Sequence, residues 1–170
     1  MVGTEKLSFI LKNSPNANIT VVAKEISQEI KSLVLHLTSI SLLEKPFEES
    51  DVENKQLIIA ATADKVLNEE IYRAAKQKNI LINVADTPEL CDFYLGSVVT
   101  KGDLKIAIST NGKSPTMSKR IREFFEDVLP ENINDLILHL NEYRNSLKGS
   151  FEEKVNKLNE ITKSFLKDKK

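Results

Sequence analysis

The chain has 170 residues, of which 41% are hydrophobic and 29% charged, and its formal net charge is -1 at pH 7. This balance excludes the basic surface of a nucleic-acid binder and the charged composition of a disordered tail. No apolar run is long enough to span a membrane, and the single cysteine, Cys91, excludes an internal disulfide or a Cys-based zinc site, so we expect a cytoplasmic protein.

Short apolar segments alternate with helical patterns over the first half of the chain. Leu7, Ile10 and Leu11 have the spacing of one helical face. Each short segment is rich in β-branched residues, as buried parallel strands are. The predicted strands are Ile19–Ala23, Ser39–Leu43, Leu57–Ala61 and Ile80–Val84. A helix predicted over Lys65–Lys78 joins the last two, which makes a βαβ unit.

The pattern changes after Asp92. Two β-like runs, Phe93–Val99 and Leu104–Ser109, flank a turn of four residues and predict a hairpin. The sequence Ser114-Pro115 then predicts a helix start that continues to about Leu129, because serine is a frequent N-cap and proline a frequent first helical residue. Two further amphipathic helices are predicted over Asn132–Leu147 and Phe151–Leu166.

The strand and helix order indicates an α/β domain of the Rossmann type that lacks its first strand. Such a domain normally opens with a strand, a glycine-rich turn and a helix that carries the pyrophosphate of a dinucleotide at its N-terminus. This chain starts with Val2-Gly3-Thr4 and enters a helical pattern at once. Gly3 fits the last small residue of that turn, where helix and strand pack closely.

Three segments together resemble the precorrin-2 dehydrogenase/sirohydrochlorin ferrochelatase family, which includes the N-terminal region of sirohaem synthases. They are PFEESDV (46–52), LIIAATADKVLN (57–68) and INVADTPELCDFYLGSVVTKGDLKIAISTNGKSPTMSKRIREFFE (82–126). The resemblance implies an α/β fold with a Rossmann-like NAD-binding domain, followed by a β-hairpin/helical dimerisation domain and C-terminal helices. We place these parts at residues 1–93, 94–130 and 131–170. It also implies a homodimer that oxidises precorrin-2 to sirohydrochlorin with NAD, and in some members inserts Fe²⁺.

Asp86 is the candidate catalytic residue, because it matches the aspartate that the family uses. It follows a predicted strand at the edge where open α/β sheets bind ligands. A carboxylate there suits dehydrogenation, which needs a base, and metal insertion, which removes pyrrole protons. The alternative is structural, since Asp86 or Thr87 before Pro88 also forms a helix N-cap sequence. The resemblance favours Asp86 as the base and leaves Thr87 as the cap.

A polar loop between a strand and a helix is the candidate substrate-binding segment. Its backbone N–H groups, the helix N-terminus and nearby cations suit a carboxylate arm of the tetrapyrrole. A capped turn beside a solvated basic face explains the same residues equally well. The loop residues are Ser109, Thr110, Asn111, Gly112, Lys113 and Ser114, and the cations that follow are Lys119, Arg120 and Arg122.

The candidate cofactor-binding residues lie at the start of the chain and after two predicted strands. They are Val2, Gly3, Lys24, Glu25, Ala61 and Thr62. An acidic residue directly after the second strand usually binds the ribose hydroxyls, but here Lys24 comes first and blurs the preference between NAD and NADP. NAD is therefore favoured by the resemblance only. Asp64 is expected to cap the next helix. Without a glycine-rich turn, we expect these 170 residues to bind NAD weakly or not at all.

Two functions remain open for the chain. The first is a dimeric, NAD-dependent precorrin-2 dehydrogenase with ferrochelatase activity as an additional step, with the tetrapyrrole and Fe²⁺ as substrates. The second is a non-catalytic dimeric module that binds a tetrapyrrole but has lost NAD binding. Neither His36 nor His139 has other ligand-type residues at metal spacing, so no resident metal site is predicted.

Overall fold

The computed structural model describes residues 2–163, which form six α-helices, six strands and two short 3₁₀ helices. They divide into two compact units, one containing residues up to Gly96 together with Ser109–Pro115, and the other containing Ser97–Ile108 and residues from Thr116 onward. In chain order the main elements are α1 Val2–Asn13, β1 Ile19–Ala23, α2 Gln28–Val34, β2 Ile40–Glu44, β3 Leu57–Ala60, α3 Lys65–Gln77, β4 Leu81–Val84, β5 Ser97–Lys101, β6 Leu104–Ile108, α4 Pro115–Val128, α5 Ile133–Ser146 and α6 Phe151–Thr162.

The first unit contains two βαβ units, each with parallel strands. β1 pairs with β2 from Ile19↔Ile40 onward, and β3 pairs with β4 from Leu57↔Leu81 onward. Helices α2 and α3 form the crossovers. This arrangement confirms the predicted α/β class, and all four predicted parallel strands lie within one residue of their predicted bounds at each end.

The two parallel pairs form separate sheets within the described residues. In the standard order of a doubly wound sheet, the first strand lies between the second and the fourth. A domain without that strand is therefore expected to show one pair made of its second and third strands and another made of its fourth and fifth. The pairs β1–β2 and β3–β4 correspond to this expectation.

Each parallel pair has its own hydrophobic core. α3 packs on the β3–β4 pair through Ile71, Ala74 and Ala75, which meet the fully buried Ile82 and Val84. On the other pair, α1 and α2 contribute the buried side chains Leu7, Ile26, Ile30 and Val34. Apolar residues at helical spacing thus fix α3 over β4, and this positions the turn that follows β4.

The second unit is built on the antiparallel hairpin β5–β6, which pairs from Ser97↔Ile108 to Lys101↔Leu104. Its turn is the two-residue Gly102-Asp103, tighter than predicted, with Gly102 at φ 59°. Asn134 of α5 accepts a hydrogen bond from the Asp103 N–H (2.8 Å) and occupies the space that a Cβ on Gly102 would need. Glycine is therefore required there by both the backbone and the packing.

Two element predictions need correction. Phe93–Gly96 was predicted as the start of a strand, but the strand begins only at Ser97. The reason is that the segment before it is held against β4 by side-chain hydrogen bonds rather than by a ladder. The predicted helix Phe151–Leu166 is helical to Thr162, and its last residues, from 164, lie outside the described residues. The three-part division at residues 93 and 130 stays a prediction.

None of the described helices is both long and apolar enough to cross a membrane.

Candidate active site

Asp86 lies in a turn directly after β4. The Thr87 N–H donates to the Val84 carbonyl (3.3 Å), and Asp86 has φ 58°. A positive φ is uncommon for any residue with a side chain, although aspartate and asparagine tolerate it better than most. The side chain is exposed, and within residues 2–163 it has no hydrogen bond or ion pair. The turn therefore presents an unpaired carboxylate at the carboxyl end of a parallel strand, where ligands of such sheets bind.

Neither Asp86 nor Thr87 caps the short 3₁₀ helix Pro88–Leu90. Thr87 occupies the N-cap position, but its side chain makes no capping hydrogen bond. Its hydroxyl instead donates to the carbonyl of Ala85 (3.3 Å), on the other side of Asp86. The prediction that Thr87 caps this helix with its side chain is therefore wrong, because the Leu90 N–H whose hydrogen bond such a cap would accept donates to the Thr87 carbonyl instead (3.0 Å).

The Cys91 side chain makes hydrogen bonds to the backbone of the Asp86 turn. Its Sγ accepts from the Val84 N–H (3.3 Å) and lies within hydrogen-bonding distance of the carbonyls of Val84 (3.2 Å) and Thr87 (3.4 Å). The Asn83 amide donates to the same sulfur (3.3 Å) and to the Phe93 carbonyl (2.8 Å). Cys91 is partly buried against the β3–β4 core, as the apolar sequence around it suggested. Asn83 was not among the predicted site residues, because its partners lie eight and ten residues away.

The loop at residues 109–114 is held in shape by hydrogen bonds between its own residues. The Lys113 N–H donates to the Thr110 carbonyl (3.0 Å), and both intervening residues have positive φ, 51° at Asn111 and 75° at Gly112. Positive φ at both central positions defines a type I′ turn, for which Asn-Gly is the preferred sequence. The Asn111 N–H donates to Ser109 Oγ and the Ser114 N–H to Thr110 Oγ1, each at 3.1 Å. Three of the backbone donors expected to bind an anion are thus used within the loop.

The Asp86 turn and this loop meet at one aromatic side chain. The Tyr94 hydroxyl donates to the Pro88 carbonyl (3.4 Å), and its ring faces Gly112, where an added Cβ would lie 3.3 Å from Cε1. All of these residues belong to the first unit. Tyr94 therefore links the segment that follows the predicted base to the predicted substrate loop, although these two segments are about twenty residues apart in sequence.

Lys24 and Glu25 are exposed immediately after β1. The next residue, Ile26, is held by the last residue of β2, because Glu44 accepts a hydrogen bond from the Ile26 N–H (2.9 Å). Glu44 also forms an ion pair with Lys31 (3.1 Å). These two contacts, the backbone hydrogen bond first, lower the pKa of Glu44 below its ordinary value. Glu25 has no hydrogen bond or ion pair within residues 2–163. Its carboxylate is thus available to the ribose hydroxyls of a dinucleotide, and the residues after β1 fit that group.

The residues after β3 have a clear structural role. The Thr62 hydroxyl donates to Asn68 Oδ1 (2.7 Å), and the Asn68 amide returns a hydrogen bond to the Thr62 carbonyl (3.1 Å). Asp64 caps α3 by accepting from the N–H groups of Val66 (2.9 Å) and Leu67 (3.2 Å), as predicted. Ala61 and Thr62 are half-buried, and no hydrogen bond links them to Lys24 or Glu25 within the described residues.

Val2 and Gly3 form the start of α1, and the close packing expected at Gly3 is not observed. A Cβ added to Gly3 would have no atom within 4 Å. Within residues 2–163, no neighbouring atom therefore requires glycine at this position. Thr4, the next residue, is buried, and its hydroxyl has no hydrogen-bond partner among the described residues.

The cations proposed to assist substrate binding differ in availability. Arg120 pairs with Glu123 (2.8 Å) and Arg122 with Glu126 (2.6 Å), all on α4. The Arg120 hydrogen bond lowers the pKa of Glu123. Lys113 and Lys119 are exposed and have no ion pair within residues 2–163. His36 and His139 are also exposed, and no group of three metal-ligating side chains occurs in the described part of the chain.

Two family models match the chain in succession. Residues 1–97 match a family described as "Putative NAD(P)-binding", and residues 101–127 match one described as sirohaem biosynthesis protein central. A solved structure named SirC, precorrin-2 dehydrogenase, has a TM-score of 0.74 and 28% identity, covering 95% of this chain and 79% of that one. These matches confirm the Rossmann-like fold and support a nicotinamide cofactor.

Several curated relatives are sirohaem synthases. The protein from Vesicomyosocius okutanii is 34% identical over 150 residues, 88% of this chain and 32% of its own length. Siroheme synthase 1 of Klebsiella pneumoniae is 35% identical over 147 residues, 86% of this chain and 31% of its own length. The chain thus spans about a third of the length of these relatives. From the two successive family matches and the fold, this chain belongs to the precorrin-2 dehydrogenase/sirohydrochlorin ferrochelatase family.

Proposed function

We propose that the protein oxidises precorrin-2 to sirohydrochlorin with NAD, and that Asp86 is the general base. The observation that carries the proposal is the exposed, unpaired carboxylate of Asp86 on a left-handed turn at the end of β4. Unusual backbone conformations of this kind concentrate at functional sites. The relation to a solved precorrin-2 dehydrogenase supplies the substrate class.

The chemistry requires one base and one hydride acceptor. Oxidation of precorrin-2 breaks two bonds to hydrogen, so that one hydride leaves for the nicotinamide ring of NAD and one proton leaves for a base. Asp86 accepts that proton and later releases it to solvent, to which it is exposed. A positioned general base contributes about 10²–10⁴-fold to the rate of such a step.

The loop at residues 109–114 is proposed to bind a carboxylate arm of the tetrapyrrole. Because three of its backbone N–H groups are used internally, we assign the contact to the exposed Lys113 ammonium and to the Gly112 N–H, which has no partner within the described residues. A charge-assisted hydrogen bond from lysine is stronger than one between neutral groups. The rigid turn would then hold one arm while Asp86 faces the reacting carbon.

Glu25 supports NAD over NADP. Its unpaired carboxylate after β1 suits the two free hydroxyls of the NAD ribose and would repel the 2′-phosphate of NADP. Lys24 acts in the opposite direction. We therefore expect kcat/KM with NAD to exceed that with NADP, and Glu25→Gln to reduce the ratio.

Ferrochelation by the same site is the second step that we propose. Insertion of Fe²⁺ into sirohydrochlorin releases pyrrole N–H protons, and Asp86 can accept them as it accepts the proton of the oxidation. The macrocycle provides four nitrogen ligands to the iron, which is a substrate here. This chemistry therefore needs no group of metal-ligating side chains, and the described residues contain none.

A homodimer is proposed on the basis of α4. Met117, Phe124 and Val128 are spaced so that they lie on one helical face, and their exposed fractions are 54%, 59% and 38%. An exposed apolar stripe of this kind is typical of a surface that meets another protein. We expect light scattering to give twice the mass of the chain at micromolar concentration, and Phe124→Glu to give a monomer.

The function is tested by incubating the purified protein with precorrin-2 and saturating NAD, while the absorbance of sirohydrochlorin and of NADH is followed together. Equimolar appearance of the two products supports the dehydrogenase. A second candidate is a non-catalytic module that binds the tetrapyrrole without NAD. Tetrapyrrole binding without NAD binding or turnover would identify that module.

A cytoplasmic location of the protein stays a prediction.

A further inference from the structure

We propose that Tyr94 is a positioning residue that holds the Asp86 turn and the loop at residues 109–114 in a fixed relation. The inference rests on the proposed function, in which these two segments supply the base and the substrate contact. Tyr94 belongs to neither segment but lies between them: its hydroxyl donates to the carbonyl of Pro88 (3.4 Å), in the 3₁₀ helix directly after the Asp86 turn, and its ring lies where a Cβ on Gly112 would meet it. It has no other role in the mechanism described above.

The backbone beside Tyr94 is anchored to β4. The Asp92 N–H donates to the Ile82 carbonyl (2.8 Å), the Asp92 carboxylate accepts from the Ile82 N–H (2.9 Å), and the Asn83 amide donates to the Phe93 carbonyl (2.8 Å). β4 is also the strand that ends at the Asp86 turn. The position of Tyr94 is therefore set by the same strand that sets the position of Asp86.

The contact with Gly112 is close because glycine has no Cβ. A Cβ at that position would lie 3.3 Å from Cε1 and 3.5 Å from Cζ of the Tyr94 ring. The turn around Gly112 is stiffened by its own hydrogen bonds, so the ring meets a rigid surface and not a flexible side chain. Displacement of Tyr94 would therefore leave the whole loop without this support.

Tyr94 is not part of either hydrophobic core. It is 43% exposed, and the side chains that pack against the β3–β4 core include Tyr72, Leu90 and Cys91 but not Tyr94. Its loss should therefore change the stability of the domain very little. A shift of about 1 Å between a base and a bound substrate can lower a rate about 10²-fold, so the effect should appear in kcat.

The experiment compares Tyr94→Leu and Tyr94→Phe with Tyr143→Leu as the matched control, since Tyr143 has a similar exposed fraction of 40% but lies on α5. We expect Tyr94→Leu to lower kcat about 10–100-fold, with the KM for NAD and the urea midpoint unchanged. Tyr94→Phe should restore most of kcat, because the ring contact with Gly112 remains. Tyr143→Leu should match the wild type. A kcat for Tyr94→Leu within twofold of the wild type would overturn the proposal, as would a loss of kcat that follows the urea midpoint.

Hydrogen exchange gives a second measurement that does not depend on turnover. Tyr94→Leu should speed amide exchange in peptides covering residues 86–90 and 109–114 together, and leave α3 unchanged. Faster exchange in only one segment, or in neither, contradicts the proposal. If the wild type does not oxidise precorrin-2 but both segments still respond, the proposed function fails and the positioning role stands.

A double variant tests the same contact through the rate. The loss of kcat in Gly112→Ala combined with Tyr94→Leu, expressed as a free energy, should be smaller than the sum of the losses in the single variants, since both changes disrupt the same contact.

Discussion

The turns after β3 and β4 lie at the same end of one parallel pair and each contains an aspartate, but the fold uses the two carboxylates differently. Asp64 accepts two backbone hydrogen bonds at the start of α3 and completes the helix. Asp86 has an unfavourable φ, exposes its side chain and makes no such contact within residues 2–163. One aspartate is explained by structure alone. The other has a conformational cost and no structural return, which is the pattern expected of a functional group.

The largest expected effect is that of Asp86→Asn on turnover. Asparagine tolerates the left-handed conformation as well as aspartate does, so the turn should be preserved, but the amide is a negligible base. We expect kcat for precorrin-2 oxidation to fall by about 10²–10⁴-fold, with the melting temperature unchanged.

Asp64→Asn is the matched control for this variant. It is the same substitution in the neighbouring turn, and asparagine is also a good N-cap. Rate and stability should both stay at the wild-type level. Wild-type turnover in Asp86→Asn would show that the comparison between the two turns does not identify the base.

The second effect is the loss of stability in Asp64→Ala. This change removes the acceptor of the Val66 and Leu67 N–H groups at the start of α3 and should cost about 1 kcal/mol of the free energy of unfolding. Urea denaturation followed by circular dichroism measures it. Turnover below the unfolding transition should not change. If this variant loses activity while it remains folded, Asp64 also belongs to the site, and the contrast with Asp86 is wrong.

Asp86→Gly tests the strain directly. Glycine adopts a positive φ without the Cβ penalty, but it also loses more chain entropy on folding. These two contributions to the free energy of unfolding nearly cancel. We expect the free energy of unfolding to change by roughly 0.5 kcal/mol or less, and turnover to be lost. Differential scanning calorimetry provides the stability. A loss well above that figure would show that the carboxylate supports the fold after all.

Local sequence patterns predicted the framework of this domain better than its site. β-branched runs identified β1 to β4, because buried parallel strands are apolar throughout. Asp64 was recognised as a cap because capping is local. The hydrogen bonds of Asn83 and the contact of Tyr94 with Gly112 were not predicted, because they join residues that are close only after folding.

The turn conformations show the same limit. The positive φ of Asp86 could not be inferred from its sequence, since the adjacent threonine and proline suggested a helix cap instead. The resemblance to a family made Asp86 the candidate base, whereas the residues alone favoured a helix N-cap at Asp86 or Thr87. Phe93–Gly96 was taken for a strand because it is apolar, although its neighbours Asn83 and Asp92 hold that segment to β4 in another way.

The smallest expected effect concerns Asp92, a third aspartate near β4 that the fold does use. Its ion pair with Lys76 and, next, its hydrogen bond from the Ile82 N–H hold the pKa of Asp92 below its ordinary value. A carboxyl whose pKa is lowered by folding stabilises the native state above its unfolded pKa, about 3.9. That stabilisation is lost as the pH falls through the lower pKa of the folded state.

We therefore expect Asp92→Asn to be less stable than the wild type at pH 7, by a few tenths of a kcal/mol, because Lys76 is partly exposed and solvent screens the pair. The difference should shrink below about pH 4 and in 1 M salt, since protonation and screening remove the same interaction. Urea midpoints of both proteins at pH 7 and pH 3 measure it. A difference that stays constant across that range would show that the charge of Asp92 is not what stabilises the fold.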